Sequence, residues 1–202
     1  MTSFTPPPDS SHRDAVRRAL LAARRAADPA ARAIAQSALT ARLAGVVELE
    51  PQQVLAVYWP IRGEPALASL LPRWRATGAR LALPVVEGPA RPLRFLEWLP
   101  QQPLQPGPWN IPQPVGTPVL RPSLILVPCL GFSGEGYRLG YGGGFYDRTL
   151  QALEFDGGPV PRTLGIAWDE ARLDDFVPLP TDRPLDAVVT PSAVYASGSK
   201  LA

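Results

Sequence analysis

The fold is organised around one stretch, Arg138-Leu-Gly-Tyr-Gly-Gly-Gly-Phe-Tyr-Asp-Arg148, which places four glycines within five positions. An apolar run at residues 123–128, Ser-Leu-Ile-Leu-Val-Pro, precedes it and has the composition of a buried strand. A run that is compatible with a helix, residues 145–154, follows at once. A strand, a glycine loop and a helix in this order are typical of α/β proteins. We therefore predict an α/β domain with its functional loop here.

The glycine loop has the features of a phosphate site. A loop that opens a helix leaves backbone N–H groups without intrahelical partners, at the positive end of the helix dipole. Arg138 and Arg148 flank the loop with positive charge, and Asp147 adds an oxygen ligand that suits Mg²⁺. The spacing matches neither the Walker A loop nor the Rossmann fingerprint. From the pattern alone, a glycine-rich turn without a ligand also remains open.

The rest of the chain alternates between strands and helices. This order predicts a parallel sheet that is covered on both faces, with ligands beyond the carboxyl ends of the strands. We predict helices over 12–27, from Asp28-Pro29 to a stop at Gly45, and over 66–77 with an interruption at Pro72. Predicted strands cover 54–58, 80–84, 93–98, 123–128, 163–167 and 187–190.

The predicted organisation is one domain over residues 11–195. The polar, proline-rich residues 1–10 are expected to be disordered, and the chain from Ser192 is expected to be loose, with residues 196–202 as a flexible tail. The proline-rich residues 99–122 read as an extended, rigid loop that covers the sheet.

Composition limits the possible functions. A net charge of +2 among 202 residues is too weak to predict nucleic-acid binding. The lone Cys129 excludes an intramolecular disulfide and a cysteine-rich zinc site. Because the single histidine is His12 and no G-x-S-x-G elbow occurs, acyl-enzyme chemistry is not expected. Without a long apolar run or an apolar leader, we expect a cytoplasmic protein with no membrane partner.

The glycine stretch resembles the signature of the 5-formyltetrahydrofolate cyclo-ligases (5,10-methenyltetrahydrofolate synthetases), R-L-G-[YR]-G-[KG]-G-[YF]-Y-D. Residues 63–64, 109–114, 127–132 and 185–190 also follow the family's order and spacing, so the resemblance covers about residues 13–190. It implies a three-layer α/β/α sandwich with a mostly parallel central sheet, similar to phosphosugar isomerases and CoA transferases. It also implies ATP-dependent cyclisation of 5-formyltetrahydrofolate to 5,10-methenyltetrahydrofolate, with Mg²⁺, in a monomer.

The resemblance implies the following site residues. ATP is assigned to the two arginines at the place of the family's K-x-x-L-R motif and to the glycine stretch, namely Arg13, Arg17, Arg138, Leu139, Gly140, Tyr141, Gly142, Gly143, Gly144, Phe145 and Tyr146. The folate is assigned to Trp59, Glu64, Trp109, Tyr141 and Phe145. Catalysis is assigned to Arg148 and Tyr146, and Mg²⁺ to Asp147 and Asp186.

The residues also allow plainer interpretations. Arg13, Arg17 and Arg24 share one helical face, which is usually a solvated basic face. Glu64 could be an ordinary loop charge, and Asp186 a strand-start aspartate without a ligand. Two other function classes stay open: a phosphosugar isomerase or acyl-transfer enzyme on a related scaffold, and a non-enzymatic module whose basic first helix binds RNA.

Two departures from the family concern the loop. Many relatives carry Lys where this chain has Gly143, so one positive charge near the phosphates is missing. Phe145 stands where Tyr is more usual, which removes a hydroxyl. Both variants fit the family pattern, so we expect an effect on binding strength rather than on the activity.

Overall fold

The computed structural model describes residues 10–198, which form one central sheet with helices on both faces. The helices are α1 (Ser10–Ala26), α2 (Pro29–Val46), α3 (Leu71–Ala76) and α4 (Phe145–Phe155). The strands are β1 (Val54–Ala56), β2 (Arg80–Val85), β3 (Arg94–Glu97), β4 (Gln105–Pro106), β5 (Pro112–Gln113), β6 (Leu124–Pro128), β7 (Gly131–Phe132), β8 (Arg138–Leu139), β9 (Arg162–Ile166), β10 (Ala187–Val189) and β11 (Val194–Ala196).

The central sheet has seven strands in the order β11-β10-β9-β6-β1-β2-β3. The five inner strands pair in parallel, while the two edge strands, β3 and β11, pair antiparallel with their neighbours. Parallel pairing requires crossover connections, and α3 and α4 supply two of them. The mostly parallel sheet predicted from the sequence is therefore confirmed.

The side chains of the sheet alternate between two apolar cores. Along β6, Leu124 and Leu126 belong to one core, and Ile125 and Val127 to the other. Helices α2 and α3 close the first core, whereas α4 packs against the second. Strands that are buried on both faces read as continuous apolar runs, which is the pattern of residues 123–128. The three-layer arrangement follows directly from this alternation.

Several predicted helix boundaries are confirmed, and one is wrong. The Asp28 carboxylate caps α2 by accepting a hydrogen bond from the Ala31 N–H at 2.8 Å. Pro72 lies in the first turn of α3, just after a 3-10 turn, so the helix restarts there as predicted. Gly45 does not stop α2, which continues to Val46 because that side chain packs on the core. Packing overrides the local preference of glycine here.

The end of the described chain is more ordered than the sequence suggested. The prediction of a loose chain from Ser192 is wrong for Val194–Ala196, which pairs with β10 as an edge strand. Tyr195 anchors this strand, because its ring lies 5.2 Å from the ring of Phe132. The expected disorder of residues 1–9 and flexibility of 199–202 lie outside the described residues, and Ser10 already begins α1.

The proline-rich residues 99–122 form more than a covering loop. They contain the two-stranded β4–β5 sheet, and the turn between its strands carries Trp109 and Asn110 with φ angles of 55° and 60°. Non-glycine residues rarely adopt this left-handed conformation, so the turn is held in place by its surroundings. Within residues 10–198, no helix combines the length and apolarity needed to cross a membrane.

Candidate active site

A cavity of about 920 Å³ opens where the central strands end. Pro128 at the end of β6, Leu83 and Pro84 near the end of β2, and the loop that follows β1 all contribute to its walls. The sequence predicted ligands at this edge of the sheet. The volume lies at the upper end of the range for small-molecule sites, so the cavity can hold a sizeable ligand.

The glycine loop forms one wall of this cavity. Gly144 is the residue before α4, and it has a left-handed backbone with φ 61°. This backbone conformation favours glycine, and a Cβ atom there would lie 2.8 Å from Nη1 of Arg148, so the guanidinium would have to move. Among the described residues, no side chain caps this helix, which leaves its first N–H groups available. Since Gly143 and Gly144 line the cavity, an anion there would meet the positive end of the helix dipole.

Two arginines of α1 reach the same cavity. Nε of Arg17 donates to the Gly140 carbonyl oxygen at 2.9 Å, so this side chain supports the glycine loop directly. Arg13 forms an ion pair with Asp182 at 2.6 Å, and its Nε atom is buried without a partner among the described residues. Both guanidinium groups therefore add positive charge to the wall of the cavity that the glycine loop forms.

The face of α1 that carries these arginines is not a solvated surface. Arg13 is 8% exposed and Arg24 is 7% exposed, although both belong to a helix at the start of the chain. Nη2 of Arg24 donates to the Cys129 carbonyl oxygen at 3.0 Å. The interpretation as a plain basic face is therefore wrong for these two residues, because Arg13 packs against the segment 176–182 and Arg24 against the end of β6.

The carboxylates near the cavity divide into two groups. Asp147 lines the cavity, where its Oδ1 atom lies 2.9 Å from Nη2 of Arg138 and accepts from the Arg183 N–H. Asp182 also lines the cavity, but sequence reasoning passed over it. Asp186 does not line the cavity; its Oδ2 accepts from the N–H and hydroxyl of Thr163 at the start of β9.

Asp147 and Asp182 both line the cavity, whereas Asp186 of the predicted metal pair does not. The described residues contain no cluster of three or more acidic, histidine or cysteine ligands. Magnesium does not need one, because it commonly uses one or two carboxylates together with substrate phosphates and water. Asp147 and Asp182 supply such a pair within the same cavity.

Glu64 is the buried carboxylate of the cavity. It is 7% exposed, and its two oxygens accept hydrogen bonds from the Tyr141 hydroxyl at 2.8 Å and the Ile61 N–H at 2.9 Å. Burial raises the pKa of Glu64, while the two hydrogen bonds and the charges of Arg24 and Arg62 oppose that rise. This environment is unlike that of a solvated loop charge, and Tyr141 connects the carboxylate to the glycine loop.

Aromatic rings form the walls between these polar groups. Trp59 lines the cavity and lies edge-on to Trp98, with 6.2 Å between the ring centroids. Trp109 is 67% exposed and lies edge-on to Phe145 at 5.5 Å. Rings with one packed edge and one free face can stack on a flat ligand.

Two of the remaining predicted residues line the cavity and one does not. Nη2 of Arg148 donates to the Gly143 carbonyl oxygen at 2.7 Å, and its Nε is buried without a partner among the described residues. Tyr146 also lines the cavity, its ring lies 5.6 Å from the guanidinium carbon of Arg138, and burial raises the pKa of its hydroxyl above the ordinary tyrosine value. The side chain of Leu139 is buried in the core and the residue does not line the cavity, so its assignment to ATP stays a prediction without a side-chain contact to support it.

An α/β enzyme for a phosphorylated substrate is the class that this fold and cavity define, because helix N–H groups, arginines and carboxylates converge at the carboxyl edge of the sheet. The chain belongs to the 5-formyltetrahydrofolate cyclo-ligase family, whose family model matches residues 9–191.

Individual relatives agree with this membership. A 5-formyltetrahydrofolate cyclo-ligase of Mycolicibacterium smegmatis is 31% identical over 87% of this chain and 92% of its own length. One from Escherichia coli K12 is 36% identical over 70% of this chain and 79% of its own. The NMR structure of a 5,10-methenyltetrahydrofolate synthetase from Aquifex aeolicus is 26% identical and superimposes with a TM-score of 0.77, covering 94% of this chain and 95% of that one.

Proposed function

We propose that this protein converts 5-formyltetrahydrofolate to 5,10-methenyltetrahydrofolate and that ATP becomes ADP and phosphate in the same reaction. One observation carries the proposal beyond family membership: the hydroxyl of Tyr141, a residue of the glycine loop, donates to Glu64 at 2.8 Å. A phosphate-type loop and a buried carboxylate for a polar ring thus share one cavity. Two substrates that react with each other need this arrangement.

The reaction begins with activation of the formyl oxygen. That oxygen attacks the γ-phosphorus of ATP, ADP leaves, and the product is an N5-iminium phosphate. N10 then attacks the activated carbon and closes the ring, N10 gives up its proton, and the former formyl oxygen leaves as part of inorganic phosphate. Since ring closure is intramolecular, the main task of the protein is to fix the folate in the closing conformation.

Charge on the transferred phosphoryl group is neutralised by groups of this chain. The N–H groups at the start of α4 point along the helix dipole, and Arg13, Arg17 and Arg138 surround the same wall of the cavity. Arg148 adds a guanidinium beside the loop, and the protonated Tyr146 hydroxyl can donate to developing negative charge. Phosphoryl transfer depends mostly on such positioning and charge stabilisation.

Magnesium would be held by Asp147 and Asp182, and not by Asp186, whose carboxylate binds Thr163 outside the cavity. When bound, a magnesium ion neutralises phosphate charge and orients the transferred group. The protein's own part is to keep both carboxylates at the cavity wall, where Arg138 and Arg13 contact them.

The folate would occupy the other half of the cavity. Glu64 accepts hydrogen bonds from the N–H groups of the pterin, and Trp59, Trp109 and Phe145 enclose its flat faces. Gly143 supplies no charge where many relatives carry Lys, and Arg148 places a cation beside the loop.

The proposal includes a monomer and a cytoplasmic location. One chain supplies the loop, the arginines, the carboxylates and the aromatic walls of the cavity, so no second copy is needed to complete the site. The cytoplasm is the compartment in which ATP is supplied to a soluble ligase.

The direct test is a spectroscopic assay of the purified protein with 5-formyltetrahydrofolate, ATP and Mg²⁺. We expect growth of the methenyltetrahydrofolate absorbance, and no growth when ATP is omitted. Turnover that is independent of ATP and unaffected by Asp147→Ala would favour an isomerase or acyl-transfer enzyme instead. Folded protein with no absorbance change would contradict the proposal.

An RNA-binding role for α1 is not proposed. Arg13 is buried against the segment 176–182 and Arg24 against the end of β6, so they cannot present a continuous basic face to a phosphate backbone.

A further inference from the structure

Arg24 is a buried charged residue that has no assigned role in the proposed reaction. Its Nη2 donates to the Cys129 carbonyl oxygen at 3.0 Å, just beyond the end of β6. Its Nη1 donates to the Tyr141 hydroxyl oxygen at 3.3 Å. The same Tyr141 hydroxyl donates to Oε1 of Glu64 at 2.8 Å. A continuous chain of hydrogen bonds therefore runs from α1 through the glycine loop to the buried carboxylate.

The position of Arg24 is fixed by its stem as well as by its head. A Cβ atom at Gly63 would lie 3.3 Å from both Cγ and Cδ of Arg24, so the glycine allows the stem to pass directly behind the Glu64 loop. That loop is itself held, because Nε1 of Trp168 donates to the Gly63 carbonyl oxygen at 2.9 Å. The guanidinium is thus confined between the Glu64 loop, the glycine loop and the β6 end.

In this confined position, Arg24 is the buried positive charge nearest in effect to Glu64. Four titratable groups act on or near the carboxylate, and burial raises the pKa of each, so they are uncharged at neutral pH; they are Tyr58, Cys129, Tyr141 and Tyr146. The two cations are Arg24, which is buried, and Arg62, which is exposed to solvent. Screening by water weakens the exposed charge far more than the buried one.

We propose that Arg24 is a positioning residue: acting through Tyr141, it aims Glu64 into the cavity and keeps it a carboxylate that can accept from the N–H groups of the bound ring. The inference rests on the proposed function, which names 5-formyltetrahydrofolate as the ligand. Arg24 itself lies behind the cavity wall and does not touch the substrate. Its effect is therefore expected on folate binding and on the pH dependence of that binding.

The test is calorimetric titration of 5-formyltetrahydrofolate into the full chain between pH 6 and pH 9. Arg24→Met keeps the apolar stem against Gly63 but removes the charge, and we expect a loss of affinity that is largest at the acid end of this range and diminishes as the pH rises. Arg24→Lys restores a positive charge and should retain the wild-type pH profile. Arg25→Met is the matched control, because Arg25 is the exposed neighbour on the same helix and should behave like wild type.

The outcomes separate this inference from the proposed function. Wild type that gives no binding to 5-formyltetrahydrofolate at any pH contradicts the proposed function. If wild type binds but Arg24→Met loses the same affinity at every pH, or loses none, only the inference is overturned, because a packing role has no pH dependence.

A second variant decides the question if Arg24→Met fails to fold. Tyr141→Phe removes the connecting hydroxyl and leaves Arg24 packed on Gly63, so the binding profile should again move toward higher pH. An unchanged profile in this variant overturns the inference.

Discussion

Glu64 is a carboxylate that the protein keeps in a place unfavourable to charge. Burial raises its pKa above the ordinary glutamate value of 4.5, so the folded state binds a proton more readily than the unfolded chain. Stability linked to this group is fully present below pH 4.5 and is lost as the pH rises through the folded-state pKa. We expect the free energy of unfolding of wild type, relative to Glu64→Gln, to increase as the pH falls from 8 to 4.5. Urea denaturation at several pH values measures this difference. If the difference instead decreases as the pH falls, the hydrogen bonds and nearby charges stabilise the carboxylate more than burial destabilises it.

Arg17 and Glu64 should separate the two halves of the cavity. Arg17 contacts the glycine loop through the Gly140 carbonyl oxygen, whereas Glu64 faces the proposed folate half. Losing a hydrogen bond to a charged group costs about 1.5–3 kcal/mol, or roughly 10- to 150-fold in affinity. Arg17→Ala should weaken a nonhydrolysable ATP analogue by this amount and 5-formyltetrahydrofolate much less, and Glu64→Ala should do the reverse. Equal losses for both ligands in both variants would refute the division.

Substitutions of Asp182 and Asp186 together test which aspartate holds Mg²⁺. Asp182→Asn should raise the Mg²⁺ concentration for half-maximal rate by about tenfold, because one anionic oxygen ligand is lost. Asp186→Asn should leave the Mg²⁺ requirement unchanged and lower the stability by about 1–2 kcal/mol, because it alters the hydrogen bonds with Thr163. Rate measurements across a Mg²⁺ series and thermal unfolding distinguish the two. The converse pattern would restore Asp186 as the ligand.

Single residues also show the limit of sequence reasoning. The glycine-stretch residues could be placed from the motif, since a long and specific pattern fixes them. Asp182 and Asp186 both precede β10, and only the path of the connecting chain shows which one reaches the cavity. Similarly, the spacing of Arg24 put it on a face with Arg13 and Arg17, but could not tell a buried face from a solvated one.

At the scale of elements, the proposed nucleotide site depends on the start of α4. Gly144 and Gly157 both have left-handed backbones, with φ angles of 61° and 79°, and they lie at opposite ends of this helix. Alanine at either position costs about 1–2 kcal/mol of backbone strain. Only at Gly144 would the new Cβ also collide with Arg148 beside the cavity, whereas Gly157 has open space.

Alanine substitutions at these two glycines therefore test the role of the element. Gly144→Ala should weaken an ATP analogue more than tenfold, while Gly157→Ala should change its affinity by less than about twofold at a similar loss of stability. Calorimetry and thermal unfolding of both variants give the comparison. If the two variants bind the ATP analogue with equal affinity, the start of α4 does not hold the nucleotide.

Elements that face the core on both sides could be predicted well, because continuous apolar runs such as residues 123–128 have few alternatives. Elements at the edge of the sheet and at helix ends could not be predicted in this way. Strand β11 is exposed along much of its length and is fixed mainly by pairing with β10 and by the Tyr195–Phe132 contact, neither of which leaves a local pattern. The end of α2 was misplaced because tertiary packing of Val46 outweighs Gly45.

At the scale of the whole molecule, the cavity draws on both ends of the described chain. Arg13 comes from α1, Glu64 from the loop after β1, Asp147 from α4, and Asp182 from the segment before β10. The strand order brings these distant segments to one edge of the sheet. The fold class and the edge could be inferred from the alternation of strands and helices, and the resemblance implied that α1 and the glycine loop share a ligand. The direct hydrogen bonds between them required the structure.

The central claim is that one cavity holds the terminal phosphates of ATP at the start of α4 and the reduced pterin at Glu64. A crystal structure of the protein with a nonhydrolysable ATP analogue, Mg²⁺ and 5-formyltetrahydrofolate tests it most directly. The account predicts phosphate oxygens within hydrogen-bond distance of the N–H groups near Gly144, and pterin nitrogens on the Glu64 carboxylate. Nucleotide bound away from the glycine loop, or a pterin that does not contact Glu64, would contradict it.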